Sequence, residues 1–187
     1  LDDTNADRFY SIRDRAVFNS LTQDQYNDFT PITEADLVEV SGQVGTSIGP
    51  DDAGWMLTLP ENQKVLSTSA TFNNEIFFVA FSAATEEAQS CEAGLGKNFL
   101  YRIAVANGDP IADLDGELPE NVDDLRVEEL AQGGIAPSPT FLFPSPESDC
   151  TGDECAPPPI GGVGVECFDP GFQNLPVRTL WTQDGIE

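Results

Sequence analysis

The sequence contains no histidine, and this absence removes several kinds of chemistry. Ser/His/Asp and Cys/His catalytic arrangements need an imidazole as general base, so this chain cannot build either of them. The glycine patterns of Walker A loops and dinucleotide-binding folds are missing too, as is the HExxH motif of zinc proteases. Enzymatic activity would therefore depend on carboxylates or on a metal ion.

Positive charge is also scarce, since 8 Lys and Arg residues stand against 33 Asp and Glu residues and the net charge is −25. Lys64 and Lys97 are the only lysines. Because proteins bind nucleic acids by neutralising phosphates with Lys and Arg, DNA, RNA and anionic membranes are poor partners for this chain. The acidity favours solvation in saline or cation-rich surroundings, and cation binding is the alternative.

Long hydrophobic runs are absent, because no stretch approaches the roughly 20 apolar residues of a membrane-spanning helix. The opening residues LDDTNADRFY lack the basic and apolar regions of a signal peptide. The chain also begins at Leu1 rather than at methionine. We expect a mature or cleaved product, such as the C-terminal piece of a longer precursor.

Cysteine is rare, with an even set of four residues and no CxxC spacing among them. An even set of this kind favours disulfides formed in an oxidising compartment. The first predicted pairing joins Cys91 to Cys167 across distant strands and Cys150 to Cys155 around the loop CTGDEC. A Cys155 to Cys167 bond across a hairpin is the rival pairing, and an all-cysteine zinc or iron site is a further alternative.

The clearest structural pattern lies in residues 64–82, where two apolar runs rich in β-branched and aromatic residues flank Asn73-Asn74. This pattern predicts a half-buried antiparallel hairpin with strands at 65–71 and 75–81. Further strands are predicted at residues 8–13, 36–40, 55–59, 98–105, 140–143 and 177–182. The four strands between residues 55 and 105 are expected to form one up-and-down sheet, as in a propeller blade, although a barrel or a sandwich has similar short strands.

The remaining segments are predicted to be connections. Residues 16–26 suit a short turn or helix, residues 41–54 a flexible loop, and residues 122–130 an amphipathic helix. Residues 144–164 are expected to form a Pro/Gly-rich, cysteine-containing loop. The chain is thus predicted to be one all-β domain over residues 1–187, whose strands fill about two blades of a propeller.

Several of these segments resemble the C-terminal region of the PilY/PilC proteins, which lie at the tip of type IV pili. The similar features, in order, are DRFYSIRD, Gly54-Trp55 followed by MLTLP, KVLSTSATFNNEIFFVAF, Cys91 with Gly94 and Gly96, Phe99-Leu100-Tyr101-Arg102, the stretch from Gly134 to Pro139, and Arg178-Thr179-Leu180-Trp181. The resemblance extends discontinuously over residues 7–181, and its best segment is 54–81.

This resemblance implies a modified β-propeller that promotes pilus assembly, counters retraction and contributes to adhesion. The family's N-terminal region, which resembles a von Willebrand factor A domain, and its additional blades are missing from this sequence. The chain would then hold the C-terminal blades of a larger propeller. The implied location is extracellular, at the cell surface or pilus tip of a bacterium, and the implied partners are minor pilins, the remainder of a longer precursor, and a host or abiotic surface ligand.

Some members of that family bind calcium through an Asp-rich propeller loop. The nearest candidate ligands in this chain are Asp109, Asp113, Asp115 and Glu117, in the segment NGDPIADLDGEL. In an EF-hand alignment, however, Ile111 and Val122 would occupy the first and twelfth ligand positions, and neither has a side-chain oxygen. A solvated turn is the alternative interpretation of this segment.

The leading functional prediction is a non-enzymatic, extracellular interaction domain, with no catalytic residues. A secreted calcium- or carbohydrate-binding β-module is the second hypothesis, and a carboxylate-based glycan hydrolase is the third. Trp55 and Trp181 are predicted to pack in the core, with a ligand-stacking platform as the alternative. In the Phe77-Phe78 pair, one ring should face the core and the other a neighbouring layer or solvent.

Overall fold

A computed structural model of the chain describes residues 6–14, 17, 20–83, 96–111, 123–144 and 159–171. Most of the ordered elements in these ranges are β-strands in largely antiparallel sheets, which confirms the all-β prediction. The strands are β1 Arg8–Ile12, β2 Val38–Glu39, β3 Gly54–Thr58, β4 Gln63–Val65, β5 Ala70–Phe72, β6 Glu75–Ser82, β7 Lys97–Ala104, β8 Val127–Leu130, β9 Thr140–Leu142, β10 Ile160–Val163 and β11 Glu166–Phe168. One short helix, α1 Gln23–Asn27, and 3₁₀ turns at Glu34–Asp36 and Asp123–Arg126 complete the described elements.

The first sheet has the strand order β1-β3-β2 and confirms three predicted strands. β1 runs antiparallel to β3, whereas β2 runs parallel to it. The prediction that β3 shares a sheet with the hairpin was wrong, because β3 pairs with β1 and β2. Alternation of apolar residues shows that a segment is a strand, but it does not specify which strand lies beside it.

The second sheet has the order β4-β6-β7-β8, and β5 also pairs with β6. Asn73 and Asn74 form the two-residue turn between β5 and β6, with φ values of 50° and 62°. Positive φ at both positions is the geometry of a type I′ turn, which asparagine tolerates better than most residues. The predicted hairpin at this turn is therefore confirmed.

The strand predicted at 65–71 is divided into β4 and β5. Val65 and Ala70 are five residues apart, but their partners on β6, Ala80 and Phe77, are separated by only three. This edge therefore has residues in excess, and the chain leaves the ladder at residues 66–69 as it does at a bulge. The prediction of one continuous strand was wrong for this reason.

The helix predicted at 122–130 was wrong from residue 127 onward, because Val127–Leu130 forms β8, whereas Asp123–Arg126 forms a 3₁₀ turn. This strand adds to β7 along the register from Tyr101↔Val127 to Asn98↔Leu130. Without β8, this edge of β7 would leave backbone N–H and C=O groups unpaired, and pairing with them outweighs a weak local preference for helix.

The third sheet has the order β11-β10-β9, and β9 confirms the strand predicted at 140–143. The prediction of a loop over 144–164 was wrong at its end, where β10 forms a hairpin with β11. A Cβ atom on Gly161 would lie 2.3 Å from the ring of Phe168. Glycine at this position lets the ring lie across β10, so here the glycine-rich tract serves close packing.

The second sheet lies between the other two, and both of its faces are covered. On one face Phe78 stacks between Phe9 and Tyr101, with ring centroids 4.3 and 4.6 Å away. On the other face Phe77 contacts Phe141 at 4.9 Å and Phe168 at 5.7 Å. The two phenylalanines thus face the two neighbouring layers, as predicted. Burial of the hairpin differs between its strands, since β6 is buried from residue 75 to residue 80 whereas β5 is largely exposed. The described part of the chain shows no closed barrel or propeller.

A buried arginine ties the first two sheets together. Arg126 is 1% exposed and donates hydrogen bonds to the carbonyl oxygens of Gly108, Val40 and Gln43. A buried charge is costly unless it is hydrogen-bonded, so these acceptors explain why the core accepts it. The loop after β2 is thereby fixed against the turn after β7.

Candidate functional site

Residues 20–36 are exposed along their whole length and are held mainly by local hydrogen bonds. Helix α1 begins with a capping box, in which Gln25 N donates to Thr22 Oγ1 and Thr22 N donates to Gln25 Oε1. The 3₁₀ turn at Glu34–Asp36 is held by Asp36 Oδ2, which accepts from the backbone N–H and the hydroxyl of Thr33, each at 2.8 Å. These two bonds hold the pKa of Asp36 below its ordinary value, and the bond from the backbone N–H has the larger effect.

An open groove of about 940 Å³ lies between this segment and the first sheet. Its apolar lining consists of Ile12, Leu21, Tyr26, Phe29, Pro31, Ile32, Ala35 and Ala53. The largest of these side chains are poorly covered, since Ile12 is 59%, Tyr26 69% and Phe29 58% exposed. Exposed apolar side chains gathered in a concave surface mark a candidate binding site.

Charged groups around the groove are mostly acidic. Asp14, Asp36, Asp51 and Asp52 contribute carboxylates, whereas Arg13 contributes the one guanidinium of the lining. Arg13 Nη1 donates to Gly49 O at 2.8 Å, and Asp52 Oδ2 accepts from Gly49 N at 2.6 Å. The groove therefore combines an apolar lining with a negative potential.

The groove continues into the outer edge of β1. Arg13 N donates to Ala53 O and Leu59 N donates to Asp7 O, each at 2.8 Å, so odd-numbered residues of this segment bond to β3. In an antiparallel pair the intervening residues direct their N–H and C=O groups to the other side. Arg8, Tyr10 and Ile12 thus present these groups at the outer edge, where no described strand pairs with β1.

Glu34 connects the exposed segment to β1. Its Oε1 accepts hydrogen bonds from Arg8 Nη1 at 3.2 Å and from the Tyr10 hydroxyl. The bond to Glu34 raises the pKa of Tyr10 above its ordinary value, since it favours the protonated hydroxyl. This contact holds the 3₁₀ turn over the outer face of the first sheet.

The opposite edge of β3 has its hydrogen-bonding groups satisfied. β2 ends at Glu39, and the N–H of Thr58 bonds to the Ser41 hydroxyl at 2.7 Å and to Glu39 Oε1 at 3.4 Å. Burial by itself would raise the pKa of Glu39, but hydrogen bonds from Ser41 and Thr58 outweigh burial and hold it below its ordinary value. The carboxylate thus serves to close this side of the sheet.

Asp109, the one described member of the predicted calcium set, has a structural contact of its own. Its carboxylate accepts from Gly45 N at 2.9 and 3.0 Å and from Asn107 Nδ2 at 2.6 Å. The other three candidates, Asp113, Asp115 and Glu117, lie outside the described residues. Within the described ranges no group of three or more Cys, Asp or Glu side chains could hold a metal ion. Calcium binding stays a prediction.

The remaining candidates divide between core and undescribed parts of the chain. Trp55 is 1% exposed and its indole N–H donates to Val105 O at 2.9 Å, so the prediction of core packing is confirmed for this residue. Cys167 is exposed on β11. The other three cysteines and Trp181 lie outside the described residues, so both disulfide pairings stay predictions.

Sequence reasoning did not identify the groove. The available signal was a series of apolar residues, namely Leu21, Tyr26, Phe29 and Ile32, in a segment with little regular structure. Such a series also suits a segment packed on the core, and only the three-dimensional arrangement shows that these side chains stay exposed.

No family model, curated protein or solved structure matches this chain. Functional assignment therefore rests on the residues and their geometry. In the part of the chain that the structure describes, no helix is long and apolar enough to cross a membrane.

Proposed function

We propose that this chain is a non-enzymatic, extracellular protein-contact domain of the type IV pilus tip, which acts in pilus assembly and surface adhesion. The observation that carries the proposal is the position of the groove, with its apolar lining and surrounding carboxylates, beside an edge of β1 that no described strand pairs with. These two features together suit a surface that binds another polypeptide.

The arrangement of the sheets supports the link to the PilY/PilC family. The middle sheet contains consecutive antiparallel strands, and a further sheet packs on each of its faces. Successive blades of a propeller also pack face to face, so the chain would supply the C-terminal blades of a larger propeller. Partners would be minor pilins, the remainder of a longer precursor, or a surface ligand.

The hydrogen bonds of the acidic residues favour contact over catalysis. Asp36 and Asp52 beside the groove accept hydrogen bonds from backbone N–H groups, and Glu39 accepts one from the N–H of Thr58 at the edge of β3. A carboxylate-based hydrolase needs two carboxyl groups directed at one substrate atom. The carboxylates named here instead stabilise turns and strand ends.

Site-specific crosslinking would test the proposal in cells of the source bacterium. A photoreactive amino acid replaces Tyr26 in the groove, and the control carries it at Glu128, which is exposed on β8. We expect Tyr26 to crosslink to a pilin or to a second fragment of the precursor, identified by mass spectrometry under non-reducing conditions. A monomer with no crosslink, or equal crosslinking from both positions, would contradict the proposal.

A further inference from the structure

Building on the proposed function, we propose that the groove and the β1 edge bind one kind of segment, an extended stretch of a partner protein that alternates apolar and basic residues. The segment adds as a new strand beside β1. Its apolar side chains enter the groove and its Lys or Arg side chains lie against the acidic residues around it.

The backbone of β1 supplies the first argument. Arg8, Tyr10 and Ile12 direct their N–H and C=O groups away from β3. An incoming strand can pair with all three residues without breaking a bond to β3. A helix cannot use these groups, because its own backbone groups are already bonded.

The faces of the first sheet supply the second argument. Phe9 packs into the core, so the side chains of Arg8, Tyr10 and Ile12 lie on the outer face. A strand beside β1 continues both faces, and every second side chain points toward the face that carries the groove. Ile12 belongs both to the edge and to the groove lining, which places the groove within reach of that strand.

The charge around the groove supplies the third argument, because it favours a basic partner segment over a second copy of this chain. Four carboxylates surround the groove, and its one guanidinium already bonds to Gly49 O. A second copy of this chain would bring a net charge of −25 to the same place, so self-association is opposed by repulsion. A basic segment gains from the potential that repels another acidic one.

Two synthetic peptides test the inference, with acetyl and amide ends and the patterns Leu-Lys-Phe-Lys-Leu-Lys-Val-Lys and Leu-Glu-Phe-Glu-Leu-Glu-Val-Glu. Binding is measured by fluorescence anisotropy, and amide exchange is followed by NMR on the whole chain. We expect the Lys peptide alone to bind. We also expect it to slow exchange of the Tyr10 and Ile12 amides at least tenfold, and to change the Phe9 and Ser11 amides less because they already bond to β3.

Two variants separate the backbone from the charge. Ile12→Pro removes one outward N–H on an edge strand that can accept proline, and should weaken binding by about tenfold. Ile12→Ala, which shortens the same groove-lining side chain but keeps the N–H, should weaken binding less. Asp51→Lys should weaken binding by about fivefold, whereas Glu128→Lys, which changes the net charge equally but lies on β8, should change it less than twofold.

Each outcome is decisive for the inference. Protection of Tyr10 and Ile12 together with the preference for Lys supports it, whereas binding without that protection, equal binding of both peptides, or no binding at millimolar concentration overturns it. A pilin crosslink at Tyr26 without strand protection would overturn this inference and leave the proposed function standing. Slower exchange of the Tyr10 and Ile12 amides without a pilin crosslink would support this inference and contradict the proposed function.

Discussion

The strand pair β6–β7 and the segment 20–36 are stabilised in opposite ways. β6 is buried on both faces from residue 75 to residue 80, whereas no residue between 20 and 36 is buried. The strands depend on apolar packing between three sheets, and the segment depends on caps such as Thr22 and on the contact between Glu34 and Tyr10. Binding surfaces are commonly built on the less stable parts of a fold, and the groove that we propose as a binding surface lies beside such a part.

The largest expected effect contrasts the two regions through one residue type. Phe78→Ala empties a site between two stacked rings and should lower the free energy of unfolding by about 3–5 kcal/mol. Phe29→Ala, at a side chain that is 58% exposed, should lower it by no more than about 0.5 kcal/mol. Urea denaturation followed by circular dichroism measures both, and similar losses would contradict the contrast.

A second prediction concerns the glycine-rich strand β10. Gly161→Ala places a Cβ atom 2.3 Å from the Phe168 ring and should destabilise the protein by about 1–3 kcal/mol. Gly162→Ala is the matched control, because its Cβ would find its nearest neighbour at 3.7 Å. Urea titration measures the free energy of unfolding of both variants. Equal values would show that the Phe168 ring does not lie against Gly161.

The third prediction uses pH. The folded pKa of Glu39 is lowered, so its ionised form stabilises the fold above the unfolded pKa, and this stabilisation is lost as pH falls through the folded pKa. Glu39→Gln should therefore lower the melting temperature by about 3 °C at pH 7, and the difference should shrink below about pH 4.5. Glu61→Gln, at an exposed position, serves as control. A difference independent of pH would show that ionisation of Glu39 is not involved.

The smallest expected effect tests the local character of the exposed segment. Thr22→Ala removes the side-chain cap of α1 and should cost the helix about 1 kcal/mol, seen as faster exchange of the Gln25 amide. Global stability should change by less than about 0.5 kcal/mol, because the segment contributes no buried residue. Thr22→Ser, which keeps the hydroxyl, should behave like the original chain. If Thr22→Ala lowered the global free energy of unfolding as much as it destabilises the helix, the segment would fold as one unit with the sheets.

Local patterns predicted most of the described strands but only in part which strands lie beside one another. The hairpin at Asn73-Asn74 follows from residues that tolerate positive φ between two apolar runs. The division into β4 and β5 depends on register against β6, which no local pattern specifies. The candidate site was the least predictable part, because Ile12 and Phe29 line the same groove only through the way that β1 and residues 20–36 are arranged in space.

The sequence by itself determined the all-β character, the asparagine turn, the strong negative charge and the absence of histidine-based chemistry, since each depends on composition or on residues close in the chain. Tertiary structure decided that Val127–Leu130 is a strand, that Ile160–Val163 forms β10, and that an apolar groove lies beside the edge of β1 that no described strand pairs with. These features depend on contacts between segments far apart in the chain, where pairing and packing outweigh local preference.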